Sequence, residues 1–184
     1  MTVVFGGAFN PPHIGHRVVA ETAYELLKPD NFLIIPTFIS PHKAGSDIAA
    51  YDKRMEWCRK TFPSERFYVS DIESTLDGRS YTYNTVTKLL LSYSDVHLLI
   101  GEDSFLSFNR WYMADELYKL CKLVVYPRYF DERGFSGCNR QFIKLESPII
   151  DISSSSIRKS LSLGRNVYGM VDDAIYNEIK VNYK

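Results

Sequence analysis

The stretch TVVFGGAFNPPHIGHRVVAE, residues 2–21, decides the fold of this chain. A short apolar run is followed by Gly6 and Gly7, then by a turn with two prolines, and then by an amphipathic segment that opens with His13 and His16. This order predicts a buried strand, a tight loop and the start of a helix.

The glycine loop and the helix start form a candidate phosphate site. Glycine lets an anion approach the backbone closely, and a helix start offers unpaired N–H groups with a partial positive charge. On a helical first turn, His13 and His16 would project from one face toward the loop. Two such donors beside a polyphosphate suit phosphoryl or nucleotidyl transfer. The alternative is a zinc pair completed by His42 or a cysteine, but no cysteine is near either histidine in the sequence and Cys-x-x-Cys does not occur.

Composition and charge narrow the class of protein. Hydrophobic residues make up 45% of the 184 residues, an ordinary globular share, and Lys plus Arg equals Asp plus Glu at 22 each. The neutral balance disfavours a nucleic-acid or membrane-surface partner. The three cysteines are scattered, the first apolar run is too short for a signal peptide, and no apolar run reaches bilayer length. We therefore expect a cytoplasmic protein.

Strand and helix patterns alternate along the chain. A helix over Ile14–Lys28 followed by a strand over Phe32–Thr37 predicts a right-handed parallel crossover. Further strands are predicted at residues 67–72, 96–100, 122–126, 142–145 and 149–152. Further helices are predicted at residues 51–62 and 171–180. One more helix begins at Ser80, one ends at residue 120, and one begins at the serine run 153–156. The last helix is expected to pack under the sheet. The pattern predicts an α/β fold with a mostly parallel central sheet and helices on both faces, and no repeat or linker divides it.

Polar residues after the predicted strands are candidate ligand contacts, because the carboxyl ends of parallel strands meet at one edge of a sheet. His42 and Lys43 follow the second strand and could hold a phosphate, or could form an exposed polar loop. Asp103 follows the most apolar strand, where a carboxylate can accept two hydrogen bonds from a ribose, and its alternative role is an N-cap. Three acidic residues lie between these positions in the sequence, namely Asp71, Glu73 and Asp77. Such a cluster could bind a metal ion but is more typical of a solvated turn.

Two later features offer surfaces for an anion and for an aromatic ring. The segment SYTYNTV opens a helix for which Ser80 is the expected N-cap, and the first amides of that helix are free to bind a carboxylate. Trp111 and Tyr112 lie in a polar stretch and could stack on a pyridine or a purine, or pack in the core.

The stretch ISSSSIR, residues 152–158, predicts a second anion-binding helix start. The serines supply an N-cap, hydroxyl groups and free amides, and Arg158 lies one turn inside, where its guanidinium can fork onto phosphate oxygens. Residues 129–140, which carry two glycines and mixed charge, predict a mobile surface loop.

These motifs together resemble the nucleotidyltransferase superfamily with the His-x-Gly-His motif and, within it, the bacterial nicotinate mononucleotide adenylyltransferases. The similarity covers, in order, GGAFNPPHIGH, IPTFISPHK, SYTYNTV, LLIGEDSFLSFNRWY and ISSSSIR. It implies a single Rossmann-like, three-layer nucleotidyltransferase domain over residues 1–184. It also implies transfer of the adenylyl group of ATP to the phosphate of nicotinate mononucleotide in NAD biosynthesis, with release of pyrophosphate and with Mg²⁺ carried by the ATP phosphates.

The resemblance implies roles for individual residues. His13, His16 and Arg158 would be catalytic, because they would bind the ATP phosphates and stabilise the transition state. The other ATP contacts would come from Gly6, Gly7, Ala8, Phe9, Gly101, Asp103, Ser153 and Ser154. The mononucleotide would contact His42 and Lys43 with its phosphate, Thr82, Tyr83 and Tyr112 with its carboxylate, and Trp111 with its pyridine ring. No residue is expected to be a dedicated metal ligand.

Three departures from the family pattern affect pocket detail. Asn10 stands where many bacterial members have Asp, Ala8 where Ser or Thr is usual, and Asn84 where Asp is frequent, and none of them removes a charge that the reaction requires. Nicotinamide mononucleotide or another phosphorylated small molecule stays open as the acceptor. From a different class, a nucleotide-binding regulatory module without turnover also stays open, and a homo-oligomer is compatible with the sequence.

Overall fold

One six-stranded sheet organises the protein, whose computed structural model describes residues 1–39, 48–128 and 140–183. The strands are β1 (Thr2–Gly7), β2 (Asn31–Pro36), β3 (Tyr68–Val69), β4 (Val96–Gly101), β5 (Lys122–Tyr126) and β6 (Ile143–Lys144). Their order is β3-β2-β1-β4-β5-β6, and each of these neighbouring pairs is parallel. The strand order changes direction between β1 and β4, so the crevice at their carboxyl ends is the switch point where such sheets bind ligands.

Helices follow the strands. Over the described ranges they are α1 (Ile14–Leu27), α2 (Tyr51–Thr61), α3 (Thr82–Leu89), α4 (Glu102–Leu106), α5 (Ala114–Leu120), α6 (Ser154–Ser162) and α7 (Asp173–Asn182). None of these helices, in the part of the chain that the structure describes, is both long and apolar enough to span a bilayer.

Alternate residues of the buried strands form the two cores of a three-layer fold. Val3 and Phe5 of β1 lie on one face of the sheet and pack with Val19 of α1 and Cys58 of α2. Val4 lies on the other face, in a cluster to which α3 and α5 contribute. The α/β fold with a parallel central sheet and helices on both faces is therefore confirmed.

The last helix packs against other helices rather than under the sheet, so that expectation was wrong. Trp57 of α2, Ile157 of α6 and Ile175 of α7 belong to a third apolar cluster that contains no strand residue. The Trp57 Nε1–H donates to Glu178 Oε2 at 2.9 Å, which fixes α7 on α2. The predicted apolar face of α7 is buried, but its neighbour is a helix.

Several predicted bounds change in the structure. The strand expected at 67–72 is reduced to β3, because a 3₁₀ turn takes over at Ile72–Thr75. Tyr81, not Ser80, is the N-cap of α3, and the Ser80 hydroxyl instead accepts a hydrogen bond from the Ile39 N–H at 3.0 Å. Residues 149–152 form no strand. The loop predicted over 129–140 lies, as far as residue 139, outside the described residues.

Candidate functional site

The loop between β1 and α1 is held by buried side chains. Phe9 adopts a positive φ of 45° and is buried, and its ring packs against that of His16 with 5.0 Å between the centroids. Below the loop, the buried Arg54 of α2 donates from Nη1 to the Ala8 carbonyl at 2.8 Å and from Nε to the Ala49 carbonyl at 3.0 Å. The Phe9 ring therefore belongs to the core, and the guanidinium of Arg54 supports the glycine loop from inside.

His13 and His16 cap the start of α1 reciprocally. His13 Nδ1 accepts from the His16 main-chain N–H at 3.3 Å, and His16 Nδ1 accepts from the His13 main-chain N–H at 3.2 Å. His13 thus occupies the N-cap rather than the first helical turn that the spacing suggested. Because each Nδ1 is an acceptor, each neutral ring carries its proton on Nε2, and that N–H remains as a donor for a ligand.

Both imidazoles are neutral near pH 7. Burial and then the charge of Arg128 lower the pKa of His13 to about 3. Burial, the neighbouring His13 and Arg128 hold the pKa of His16 well below its usual range. Gly15 makes room for this arrangement, since a Cβ at that position would lie 3.0 Å from His13 Nδ1.

The second helix start packs on the same loop. Ser153 is the N-cap of α6, and its hydroxyl accepts from the Ser156 N–H at 3.1 Å. The Ser154 hydroxyl donates to the Pro11 carbonyl at 2.8 Å, and Arg158 Nη1 donates to the Asn10 carbonyl at 2.8 Å. The structure therefore brings the predicted serines and Arg158 to the loop that ends in the histidine pair.

Asn10 has a structural function at this junction. It is buried, and its Oδ1 accepts from the Ala49 N–H at 2.9 Å and from the Tyr183 hydroxyl. The side chain thus connects the loop to the chain before α2 and to the end of α7. A neutral amide oxygen satisfies both donors, so the departure from Asp leaves no donor of this pair unpaired.

Arg128 completes a narrow slot beside the histidines. The sequence pattern did not single out this arginine. The slot is lined by His13, His16 and Arg128 together with apolar side chains that include Ile150 and Ile152. Arg128 Nε lies 3.7 Å from Asp103 Oδ1, and the Arg128 N–H donates to the buried Glu102 carboxylate at 3.0 Å. The available signal was its position just after β5, at the sheet edge that carries Asp103.

Asp103 lies on the first turn of α4, where its side chain is exposed. The N-cap is Gly101, so the alternative reading of Asp103 as a cap is wrong. Gly101 has a steric reason to be glycine, because a Cβ there would lie 2.6 Å from Asp103 Oδ1 and 3.1 Å from the Tyr126 hydroxyl. The carboxylate is left at the ligand-binding edge of the sheet beside Arg128.

A larger cleft, of about 930 Å³, borders the glycine loop. Its lining includes Gly6, Gly7, Ala8, Thr82, Trp111 and Tyr112. Trp111 is half-buried, and its ring packs on Phe108 with 5.2 Å between the centroids. Tyr83 does not line the cleft, and its ring meets that of Tyr112 edge-on at 6.1 Å. Most of the predicted mononucleotide residues within the described ranges are therefore on one cavity, and His42 and Lys43 lie outside those ranges.

The start of α3 lies on this cleft, where Tyr81 and Thr82 belong to the lining. Tyr81 occupies the N-cap and makes no side-chain hydrogen bond to the helix, and Thr82 is the first helical residue. The N–H groups of Asn84 and Thr85 donate to the Tyr81 carbonyl at 2.9 and 3.2 Å, so the N–H groups of Thr82 and Tyr83 are the candidates for a ligand.

Glu73, on the same cleft, is buried, so the expectation that it belongs to a solvated turn was wrong. Its Oε2 accepts from the Phe38 N–H at 3.0 Å, and its Oε1 accepts from the Thr85 hydroxyl at 3.1 Å. Burial raises the pKa of this carboxyl. The carboxyl group joins the chain after β2 to α3, and only the fold reveals that role. Within residues 1–39, 48–128 and 140–183, no group of three or more metal-ligating side chains occurs.

Comparison with known proteins shows the family of this chain and supports its fold. The cytidylyltransferase-like family model matches residues 4–160. A probable nicotinate-nucleotide adenylyltransferase of Pseudothermotoga lettingae is 37% identical, with 96% of this chain and 93% of the relative covered, and one of Thermotoga maritima is 35% identical, with 98% and 91% covered. The nicotinic acid mononucleotide adenylyltransferase of Plasmodium falciparum complexed with NaAD has the same fold, with a TM-score of 0.76, 18% identity, and 97% and 93% of the two chains covered. Since the match spans most of the chain and both bacterial relatives exceed 30% identity, this protein belongs to the cytidylyltransferase-like family of nucleotidyltransferases.

Proposed function

We propose that this protein transfers the adenylyl group of ATP to nicotinate mononucleotide, and that residues 1–184 act as one nucleotidyltransferase domain. The single observation that carries the proposal is the junction at the glycine loop. The β1–α1 segment contributes His13 to the slot that also contains His16, and it contributes Gly6, Gly7 and Ala8 to the cleft with Trp111 and the start of α3. The names of the bacterial relatives support the same reaction.

The ATP side would use the histidines, Arg158 and Asp103. The Nε2–H groups of His13 and His16 are neutral donors with a fixed tautomer, suited to phosphate oxygens whose charge increases in the transition state. Arg158 donates one N–H to the Asn10 carbonyl, and its guanidinium has further N–H donors for the leaving phosphates. Asp103 would accept hydrogen bonds from the ribose hydroxyls, and Ser153 and Ser154 would add donors at the start of α6.

The mononucleotide side would use the larger cleft. The pyridine ring would stack on Trp111, which is held from behind by Phe108. The ring carboxylate would bind the first amides of α3, with the Thr82 hydroxyl and the Tyr112 segment beside it. His42 and Lys43 would bind the mononucleotide phosphate.

The reaction then needs no covalent enzyme intermediate. A phosphate oxygen of the mononucleotide attacks the α-phosphorus of ATP, the bond from that phosphorus to the bridging oxygen breaks, and pyrophosphate leaves. Magnesium would enter as part of the MgATP substrate. The protein contributes the alignment of the two phosphates and the donors for the developing charge.

Pyrophosphate release with MgATP and each acceptor tests the proposal. We expect turnover with nicotinate mononucleotide, weaker turnover with nicotinamide mononucleotide, and none with nicotinate, which lacks the attacking phosphate. Turnover only with a different phosphorylated acceptor would contradict the assigned substrate. Nucleotide binding without any pyrophosphate release would contradict the catalytic role and favour a regulatory module.

A further inference from the structure

Two arginines on the larger cleft are not explained by the roles assigned above. Arg79 and Arg110 both line the cleft and are both exposed. Among the described residues, neither forms an ion pair with an acidic side chain. The acidic residue in the cleft lining is Glu73, which is buried and occupied by the Phe38 N–H and the Thr85 hydroxyl. In a chain of zero formal net charge, this cleft therefore carries a local positive surplus.

An aromatic stack connects the two segments that carry these arginines. The rings of Tyr81 and Tyr112 are stacked, with 4.5 Å between the centroids and 29° between the planes. Arg79 precedes Tyr81 by two residues, and Arg110 precedes Tyr112 by two residues. The stack joins the segment that enters α3 to the segment that carries Trp111, so it links the two segments from which Arg79 and Arg110 line the cleft.

Main-chain hydrogen bonds also hold both segments. The Ser80 N–H donates to the Ile39 carbonyl at 2.9 Å, next to Arg79. The Arg110 N–H donates to the Ser107 carbonyl at 2.9 Å, and the Trp111 N–H donates to the Phe108 carbonyl at 2.9 Å. Both arginines therefore belong to segments that main-chain hydrogen bonds fix beside the cleft.

A positive charge on this cleft would distinguish a carboxylate from a carboxamide on the pyridine ring, which the main-chain N–H groups of the helix start do not. Main-chain N–H groups donate to a carboxylate oxygen and also to the carbonyl oxygen of a carboxamide. The first amides of α3 thus recognise the oxygen of either ring substituent. A formal positive charge favours the carboxylate, because only the carboxylate carries a formal negative charge.

We propose that Arg79 and Arg110 are specificity-determining residues that favour a mononucleotide with an anionic ring substituent over its neutral carboxamide analogue. The inference rests on the proposed function and deepens it. The effect per arginine is modest, because exposed charge pairs are screened by solvent and salt, and we expect about a threefold contribution from each arginine and about a tenfold contribution from both.

The test is the ratio of kcat/KM for nicotinate mononucleotide to kcat/KM for nicotinamide mononucleotide. Arg79→Gln and Arg110→Gln should each lower this ratio about threefold, and the double variant about tenfold, with the KM for ATP unchanged. The loss should shrink as ionic strength is raised. The double Lys variant keeps both charges and should keep most of the preference. Arg59→Gln, at an exposed position on α2 away from the cleft, is the matched control and should leave the ratio unchanged.

The outcomes separate this inference from the proposed function. Equal losses with both mononucleotides would show that the arginines act on the shared phosphate or on folding, and an unchanged ratio in the double Gln variant would show that they do not select the substituent. Either result overturns the inference while the wild-type reaction stands. Wild-type protein that turns over neither mononucleotide would overturn the proposed function itself.

Discussion

The imidazole rings of His13 and His16 are stacked, with 3.6 Å between their centroids and 27° between their planes. Each ring accepts a main-chain N–H from the other residue, so the pair caps α1 and fixes its own tautomers. The three-residue spacing of the histidines therefore serves two purposes. It pairs the main-chain N–H groups of His13 and His16 at the start of α1, and it leaves two Nε2–H donors available to a phosphate.

Replacement of His16 separates these two purposes. His16→Ala removes both the donor and the cap, and we expect kcat to fall about tenfold to a hundredfold with little change in the KM for ATP, since the donor acts mainly on the transition state. His16→Gln keeps an acceptor at the third helical position, where Gln completes a capping box, and should recover stability but not turnover. Steady-state kinetics and urea unfolding of both variants provide the measurement. Recovery of kcat in the Gln variant would assign His16 to the cap alone.

Trp111 offers a test that is confined to the mononucleotide. Trp111→Ala should raise the KM for nicotinate mononucleotide about tenfold, because the stacking surface is lost, and should leave the KM for ATP nearly unchanged. Trp111→Phe restores an aromatic face and is the matched control, with most of the affinity recovered. A parallel rise in both Michaelis constants would instead mean that the substitution disturbs the Phe108 contact and the cleft as a whole.

The fold and the motif loops were predictable because their signals are local. The alternation of apolar strands and amphipathic helices, the Gly6-Gly7 loop and the serine cap of α6 are all read within a few residues. Arg54 and Glu73 gave no such signal. Arg54 has the sequence context of a surface charge, and its burial depends on a carbonyl of Ala8 that lies 46 residues away.

The role of Glu73 also could not be predicted from the residues next to it in the sequence. Beside Asp71 it looks like part of a solvated turn, and its function depends on donors from two other segments, at Phe38 and Thr85. The predicted N-cap at Ser80 was wrong for a related reason, since a tertiary contact with Ile39 takes the hydroxyl that a local rule assigned to the helix. Tertiary hydrogen bonds outweighed the local preference in each case.

Glu73 should therefore behave as a positioning residue. Glu73→Ala leaves the Phe38 N–H and the Thr85 hydroxyl without their acceptor, and we expect a loss of about 1–3 kcal/mol in the free energy of unfolding together with a raised KM for the mononucleotide. Glu73→Gln can still accept from the N–H and donate to the hydroxyl, so it should recover both quantities. The KM for ATP is the internal reference and should not move. Failure of the Gln variant to recover the mononucleotide KM would indicate that the negative charge itself is required.

The depressed pKa of His13 predicts how stability depends on pH. The unfolded chain protonates this imidazole below about pH 6.5, whereas the folded chain resists protonation until about pH 3, so the unfolded state binds more protons between these values and stability falls as pH is lowered through that window. For this one group the loss from about pH 7.5 to about pH 5 is roughly 2 kcal/mol, at about 1.4 kcal/mol per pH unit once the unfolded group titrates.

His13→Asn isolates that contribution. Asparagine is a good N-cap, so it can accept a main-chain N–H at the start of α1, but it does not titrate. Urea unfolding of both proteins at the two pH values should show a drop that is about 2 kcal/mol smaller in the Asn variant. The carboxyl of Glu73 is common to both proteins and cancels, and the pKa of His16 is lowered first by burial, which the Asn variant keeps. An equal drop in the two proteins would mean that the His13 imidazole is not held neutral by the fold, and the neutral-donor description of the site would then have to be given up.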